Sequence, residues 1–349
     1  MSDMTTLSPV AASTARIGRW RWQETAFWLL VVASYFLFSD RYLILTEIAW
    51  LALFALSLDL ILGYAGIVSL GHAAFFGVGA YGVGLLAKHG IIEEPVLALL
   101  AAGVMAMALG FVTSFLVIRG TDLSRLMVTL GIALLLRELA NRFSDITGGF
   151  DGLQGFTIAP VLGLFEFDIF GRTGFVYCTA VLFVLFLAAR RLVNSPFGLS
   201  LRAIHNNRLR AEAVGIPVDR RLIAVYTVSA FYAGVAGALF TQTTALASLD
   251  VFSFERSADL LLILVIGGGG YLYGGIIGAV VFKILQEIFS SITPQYWLFW
   301  IGLVFVVIVL IGRERMRRWA RVAPDVLLRR LGLSRGADGR GSGSGGAEL

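Results

Sequence analysis

Hydrophobic runs of helical length follow one another along this chain, parted by short polar or Gly/Pro breaks. They fall at about 26–39, 42–62, 70–88, 95–118, 122–141, 173–190, 222–247, 258–273, 274–291 and 295–312. A helix needs about 20 mainly apolar residues to cross the hydrocarbon of a bilayer. The pattern therefore predicts an all-α, polytopic membrane protein with about ten transmembrane helices over 26–312. The pair of runs around Gly267 to Gly275 also reads as one broken helix.

One stretch interrupts the hydrocarbon. Residues 190–221 read RRLVNSPFGLSLRAIHNNRLRAEAVGIPVDRR, polar and basic. Leu199, Leu201 and Ile204, then Leu209, Ala213 and Val214, recur at helical spacing and share a flank, with Arg202, His205, Arg208 and Arg210 mostly elsewhere. Gly215 and then Pro217 stop the helix. An ordered helical island of this kind predicts a socket for another protein, against the simpler reading of a basic loop that only fixes orientation.

Threading ten crossings from a cytoplasmic N-terminus places Arg119, Arg125, the island and the C-terminal tail inside, as the positive-inside rule asks. The outer loops then hold Asp40, Glu93, Glu94, Asp145, Asp151, Glu166, Asp168, Asp250, Glu255 and Asp259, against Arg41, Lys88, Arg142, Arg172 and Arg256. The longest of them, 142–172, opens with TGGFDGLQG, a turn signature. Its Asp151, Glu166 and Asp168 are candidates for docking a partner on that side. Residues 1–25, with Arg16, Arg19 and Arg21, read as an uncleaved cytoplasmic tail. Residues 313–349 read as a basic, largely disordered cytoplasmic tail ending in GSGSGGAEL, an orientation signal more than a nucleic-acid arm.

Two glycine-rich segments each follow an apolar helix: GYAGIVSLGHAAFFGVGAYG, Gly63–Gly82, and GGGGYLYGGIIGA, Gly267–Ala279. Ala73 and Gly77, Ala80 and Gly84, and Gly274 and Gly278 have the small-xxx-small spacing that packs membrane helices. Ser69-Leu70-Gly71-His72 adds polar groups where unwound backbone is tolerated only inside protein or along a cavity. Glycine-interrupted segments in both halves predict an internal, inverted repeat.

Composition narrows the classes. With 58% hydrophobic and 15% charged residues and a mean hydropathy of +0.83, the chain has too little polar surface for a soluble domain. Cys178 is the single cysteine, so no disulfide forms within the chain. The two lysines, Lys88 and Lys283, lie outside any phosphate-binding loop, so any energy the chain uses must come from a partner or an ion gradient. An ion-coupled carrier would draw on Glu47, Asp59, Lys283 and Glu287, of which Lys283 and Glu287 are expected to neutralise each other one turn apart. An intramembrane hydrolase would use Ser69 and His72 as nucleophile and base, yet no acid lies near to orient them. His89 and His205 have no second ligand at metal-binding spacing.

These residues together resemble the permease subunits of branched-chain amino acid ABC transporters, of the LivM type. The pieces are GYAGIVSLGHAAFFGVGAY, RGTDLSRLMVTLGIALLLREL (119–139), TGGFDGL (147–153), FGLSLRAIHNNRLRAEAVGIPV (197–218) and VIGGGGYLYGGIIGA (265–279). The GG-x-DGL element favours the LivM type over the partnering LivH type. The resemblance implies a bacterial inner-membrane importer with both termini cytoplasmic, no cofactor, and a pathway shared with a second permease. Two ATPase subunits would drive it and a periplasmic binding protein would deliver substrate. It further implies that the island docks the ATPase through a segment built on Glu-Ala-Ala with a glycine four residues after the last alanine. Ala211 and Gly215 fit that spacing, whereas Leu209 and Arg210 replace its first two residues and Glu212-Ala213 fall one register later. The candidate coupling residues are Arg202, Ala211, Glu212, Ala213 and Gly215. The candidate pathway residues are Ser69, Gly71, His72 and Thr129. Branched-chain or other hydrophobic amino acids are the expected cargo, with urea, amides or aromatic acids as the alternative.

Overall fold

The computed structural model describes residues 22–38, 40–168 and 170–311. The expected cytoplasmic tails therefore lie almost wholly outside the described residues. Thirteen helices follow in order: α1 Trp22–Leu37, α2 Tyr42–Leu62, α3 Ala73–Lys88, α4 Pro95–Arg119, α5 Asp122–Arg142, α6 Ser144–Thr147, α7 Arg172–Val193, α8 Pro196–Asn206, α9 Arg208–Ala213, α10 Val218–Thr244, α11 Phe254–Gly267, α12 Leu272–Ile292 and α13 Trp297–Ile311.

The ten longest of these coincide with the ten predicted runs. Five of them, α2, α4, α7, α10 and α12, are long and apolar enough to cross a membrane by length and composition. The segment is thus a multi-pass membrane protein. Helix α11, at 14 residues, rises only about 21 Å at 1.5 Å per residue, against about 30 Å of hydrocarbon. It ends where Gly268 and Gly270 take φ of 101° and 77°, so the pair around Gly267 forms two helices turned on a tight loop. A methyl on Gly278 would lie 2.1 Å from the Ile263 carbonyl oxygen, and one on Gly267 1.8 Å from that of Gly274. The Gly274/Gly278 spacing therefore does pack helices, within this hairpin.

Helix α10 is the axis of the body, packed against α4, α3 and α2. Close approach comes from Gly79, where a methyl would fall 1.9 Å from the Gly234 carbonyl oxygen. Gly77 and Gly84, whose spacing predicted helix pairing, instead face Phe252 and Leu153 of the loops. Trp50, Phe54, Phe76 and Phe240 fill the neighbouring layer, with ring centroids 4.6–5.7 Å apart. Helices α4 and α5 form a hairpin joined only by Gly120 and Thr121. The Arg125 guanidinium reaches back to the Val117 and Ile118 carbonyl oxygens at 3.3 and 3.5 Å, closing the end of α4. Helix α5 is otherwise sparsely covered: among its described side chains only Thr129, Ala133 and Ala140 are buried.

Tertiary contacts sort the loops into two ends. At the basic end Gly63 meets Gly270, Gly66 meets His205, and Arg190 pairs with Glu24 at 2.8 Å. At the acidic end Leu153 bridges Ala247 and the Gln242 amide donates to the Pro95 carbonyl oxygen at 2.8 Å. The two glycine-rich turns sit together at the basic end; a pair related by inversion would sit at opposite ends. Residues from Phe289 onward form a second unit, in which the Phe289 and Trp300 rings stack 6.2 Å apart.

Candidate functional site

The polar entry to α3 is closed inside protein. Ser69 and His72 are fully buried and Thr129 is 1% exposed. A methyl on Gly71 would fall 1.7 Å from the Thr129 carbonyl oxygen, so only glycine lets the two backbones meet. The Leu70 N–H donates to the Thr129 hydroxyl at 3.2 Å, and the Ala73 N–H to Ser257 at 3.1 Å. Ser69, Gly71 and Thr129 thus stand together where α3 begins against α5. His72 does not face this seam. Its ring stacks on Phe54 at 5.8 Å and meets Phe75 edge-on, and its Nε2 lies 2.8 Å from Ser57 Oγ.

Ser57 also donates to the Phe54 carbonyl oxygen at 2.5 Å. Ser229 donates to the Ser57 carbonyl oxygen at 2.5 Å. His72 therefore anchors the start of α3 to α2, beside the Ser229–Ser57 link between α10 and α2. Among the described residues no hydrogen bond joins Ser69 to His72, so the nucleophile–base contact is not formed. Lys283 likewise pairs with Glu47 of α2 and with Gln286 at 3.1 Å, where neutralisation by Glu287 was expected. Ser57 and Ser229 carried no signal in the sequence, being small polar residues in apolar runs.

The island is two helices, and Asn207 is why. With φ −162° and ψ 104° it leaves the helix and caps the next, its side-chain oxygen accepting from the Arg210 N–H at 2.9 Å. The single apolar flank expected over 199–214 is thereby split: Leu201 and Ile204 are buried, while Leu209 and Val214 are 78% and 76% exposed. Ala211 is buried within its own chain. Glu212, Ala213 and Gly215 are exposed. Helix α9 ends as predicted, with the Gly215 N–H on the Glu212 and the Ile216 N–H on the Ala211 carbonyl oxygen. Arg208 braces α9 through Glu212 at 3.0 Å and ties it to the start of α10 through Asp219 at 2.9 Å.

Arg202 reaches inward from α8. Its guanidinium lies 5.3 Å from the centroid of the Tyr64 ring, in the loop between α2 and α3. Burial pushes the Tyr64 phenol up to about 12 and the nearby Asp59 charge adds to this, while Arg202 and the Leu272 backbone N–H pull it back. Asp59 itself, fully buried, accepts the Gly270 N–H at 2.6 Å. The sequence marked Asp59 only as an acid in an apolar helix.

At the acidic end, Gly148, Gly149 and Gly152 take positive φ and turn the chain so that Leu153 is buried against Ala247. Asp151, Glu166 and Asp168 stay exposed, and Asp168 accepts the Phe170 N–H at 3.3 Å. Phe150, Leu164 and Phe170 beside them are 88%, 78% and 72% exposed.

The sequence pattern of the family described as branched-chain amino acid transport system / permease component matches residues 42–309. The chain belongs to that family. The match takes in the buried α3 entry, the island, the acidic loop and both glycine-rich turns. Among relatives, the high-affinity branched-chain amino acid transport system permease protein LivM of Escherichia coli (strain K12) is 28% identical over 276 residues, 73% of this chain and 64% of that protein. The probable branched-chain amino acid transport permease protein LivH of Methanocaldococcus jannaschii is 28% identical over 251 residues, 69% of this chain and 77% of that protein. The fructose import permease protein FruG of Bifidobacterium longum is 30% identical over 126 residues, 34% of this chain and 37% of that protein. The chain thus spans under two thirds of the length of the LivM relative. No solved structure matches it.

Proposed function

We propose that this chain is the membrane-spanning permease subunit of an ATP-driven importer for branched-chain or other hydrophobic amino acids, forming the pathway with a second permease of the LivH type. The basic end faces the cytoplasm of a bacterial cell and the acidic end the periplasm, in keeping with the positive-inside rule. Two ATPase subunits engage the island through Glu212, Ala213 and Gly215, flanked by Leu209 and Val214. A periplasmic binding protein approaches Asp151, Glu166 and Asp168. Hydrolysis of ATP belongs to the partners, and this chain performs no covalent chemistry.

The observation that carries the reading is the family match over 42–309. The island supports it: Leu209 and Val214 stand exposed on and just after α9, a short helix that Arg208 ties to α10, as an interaction surface requires. Transport would proceed by rearrangement at the α3–α5 seam, where Gly71 and Thr129 touch backbone to backbone. Ion coupling is the weaker alternative, since Lys283 is engaged by Glu47 and Asp59 by Gly270. The test is uptake of labelled leucine against urea and fructose by vesicles carrying both permeases, with and without the ATPases and binding protein. ATP-dependent leucine uptake is expected. Uptake driven by an ion gradient without ATPase would overturn the proposal, and preference for urea or fructose would replace the cargo alone.

A further inference from the structure

We infer that Asp59 is a positioning residue that carries movement of the island to the glycine break between α11 and α12. The inference rests on the importer reading above. Four contacts make the route. Arg202 of α8 lies over the Tyr64 ring. The Tyr64 hydroxyl faces the backbone N–H of Leu272, the first residue of α12, and its own N–H reaches the Asp59 carbonyl oxygen at 3.3 Å. The Asp59 carboxylate then accepts the Gly270 N–H at 2.6 Å across 211 positions of sequence. Two loop residues, Tyr64 and Gly63, separate the surface arginine from a buried acid.

Electrostatics explains why an acid stands there. Asp59 is in the last turn of α2, where a negative charge opposes the helix dipole. Full burial adds a desolvation cost unless the group is hydrogen-bonded. The opening of α12 supplies the opposite field, with unpaired N–H groups and the positive end of a dipole. The carboxylate is therefore stable only while the end of α2 and the start of α12 stay together. Gly63 leaves the bond room: a methyl there would lie 2.1 Å from the carboxylate oxygen and 2.2 Å from the Gly270 nitrogen. A tilt of α8 that moves Tyr64 presses on both N–H contacts at once, and the positive-φ backbone at Gly268 and Gly270 can yield.

The test uses the complete complex of both permeases with its ATPases and binding protein, reconstituted in vesicles. Hydrogen exchange is followed over 266–274 with and without ATP. Expected is an ATP-dependent change in protection in the wild type, lost in Arg202→Leu and Asp59→Leu, reduced in Tyr64→Phe and retained in Asp59→Asn, which keeps an acceptor oxygen. Substrate imported per ATP should fall by about tenfold or more in Asp59→Leu while hydrolysis continues, the factor expected for a lost charge-assisted hydrogen bond. An exchange response indifferent to Arg202→Leu and Tyr64→Phe would overturn the route. Equal losses of hydrolysis, import and assembled complex in Asp59→Leu, with no rescue by Asp59→Asn, would leave Asp59 a structural cap. A wild-type permease that retains no ATPase would overturn the importer reading itself.

Discussion

Replacing His72 by alanine tests whether its imidazole is structure or pathway. The side chain is fully buried between Phe54 and Phe75 and pairs with Ser57. Truncation removes ring contacts and leaves a cavity, about 2–5 kcal/mol for a large buried side chain. It also removes the hydrogen bond to Ser57, which keeps its bond to the Phe54 carbonyl oxygen, about 0.5–1.5 kcal/mol more. The sum, about 2.5–6.5 kcal/mol, compares with net stabilities of roughly 5–15 kcal/mol for folded domains, so the amount of folded subunit should drop severalfold. His72→Phe refills the space but offers no nitrogen, and should lose only the smaller, hydrogen-bonding part. The assay is thermal unfolding of the purified complex beside uptake per assembled complex on the same membranes. The expected order of stability is wild type, His72→Phe, His72→Ala, with uptake per complex unchanged throughout. If either variant keeps wild-type stability and assembly but loses uptake, the imidazole lines the route and the argument fails.

Gly71→Ala places a methyl 1.7 Å from the Thr129 oxygen; restoring a 3.4 Å contact means α5 retreats by the difference, about 1.7 Å, an overpacking worth about 1–3 kcal/mol or more. Uptake should be lost with the complex still assembled, whereas Gly131→Ala, which meets nothing within 4 Å, should be silent in the same uptake assay. Cysteines at Ala213 and Gly215 should crosslink to the ATPase and one at Ala211 should not; labelling of Gly215Cys from the periplasm would reverse the topology. Charge reversal at Asp151, Glu166 and Asp168 should raise the binding-protein concentration needed for half-maximal ATPase stimulation, and an unchanged dependence would leave the loop a structural turn.

The ten long helices were legible because hydrophobic periodicity over twenty residues overrides local detail, and the Gly215 stop because its chemistry is local. The site was legible only as a neighbourhood. Ser69 to His72 stood out as polar residues beside glycine, but what each one faces depends on α5 for Gly71 and on α2 and α10 for His72, tens to hundreds of residues away. The island misled for a local reason: Asn207 sits in a plausible helical phase, and its preference for capping over continuing decided that Leu209 and Val214 face out. Lys283 found Glu47 instead of Glu287 because pairing between packed helices is not written in the spacing along one of them.

The α4–α5 hairpin bears on how the chain enters the membrane during synthesis. Helix α5 carries Asp122, Arg125, Arg137, Glu138 and Arg142 toward its two ends, and charges shorten the apolar stretch that favours insertion. Helix α4 is among the five spans that qualify by length and composition, and α5 is not. Only two residues separate them, and Arg125 is already engaged by the carbonyl oxygens of α4. The insertion machinery therefore meets a favourable segment that can draw an unfavourable one in with it. The unit it must accept is the hairpin, and a break lengthening the Gly120–Thr121 turn would strand α5 at the membrane surface.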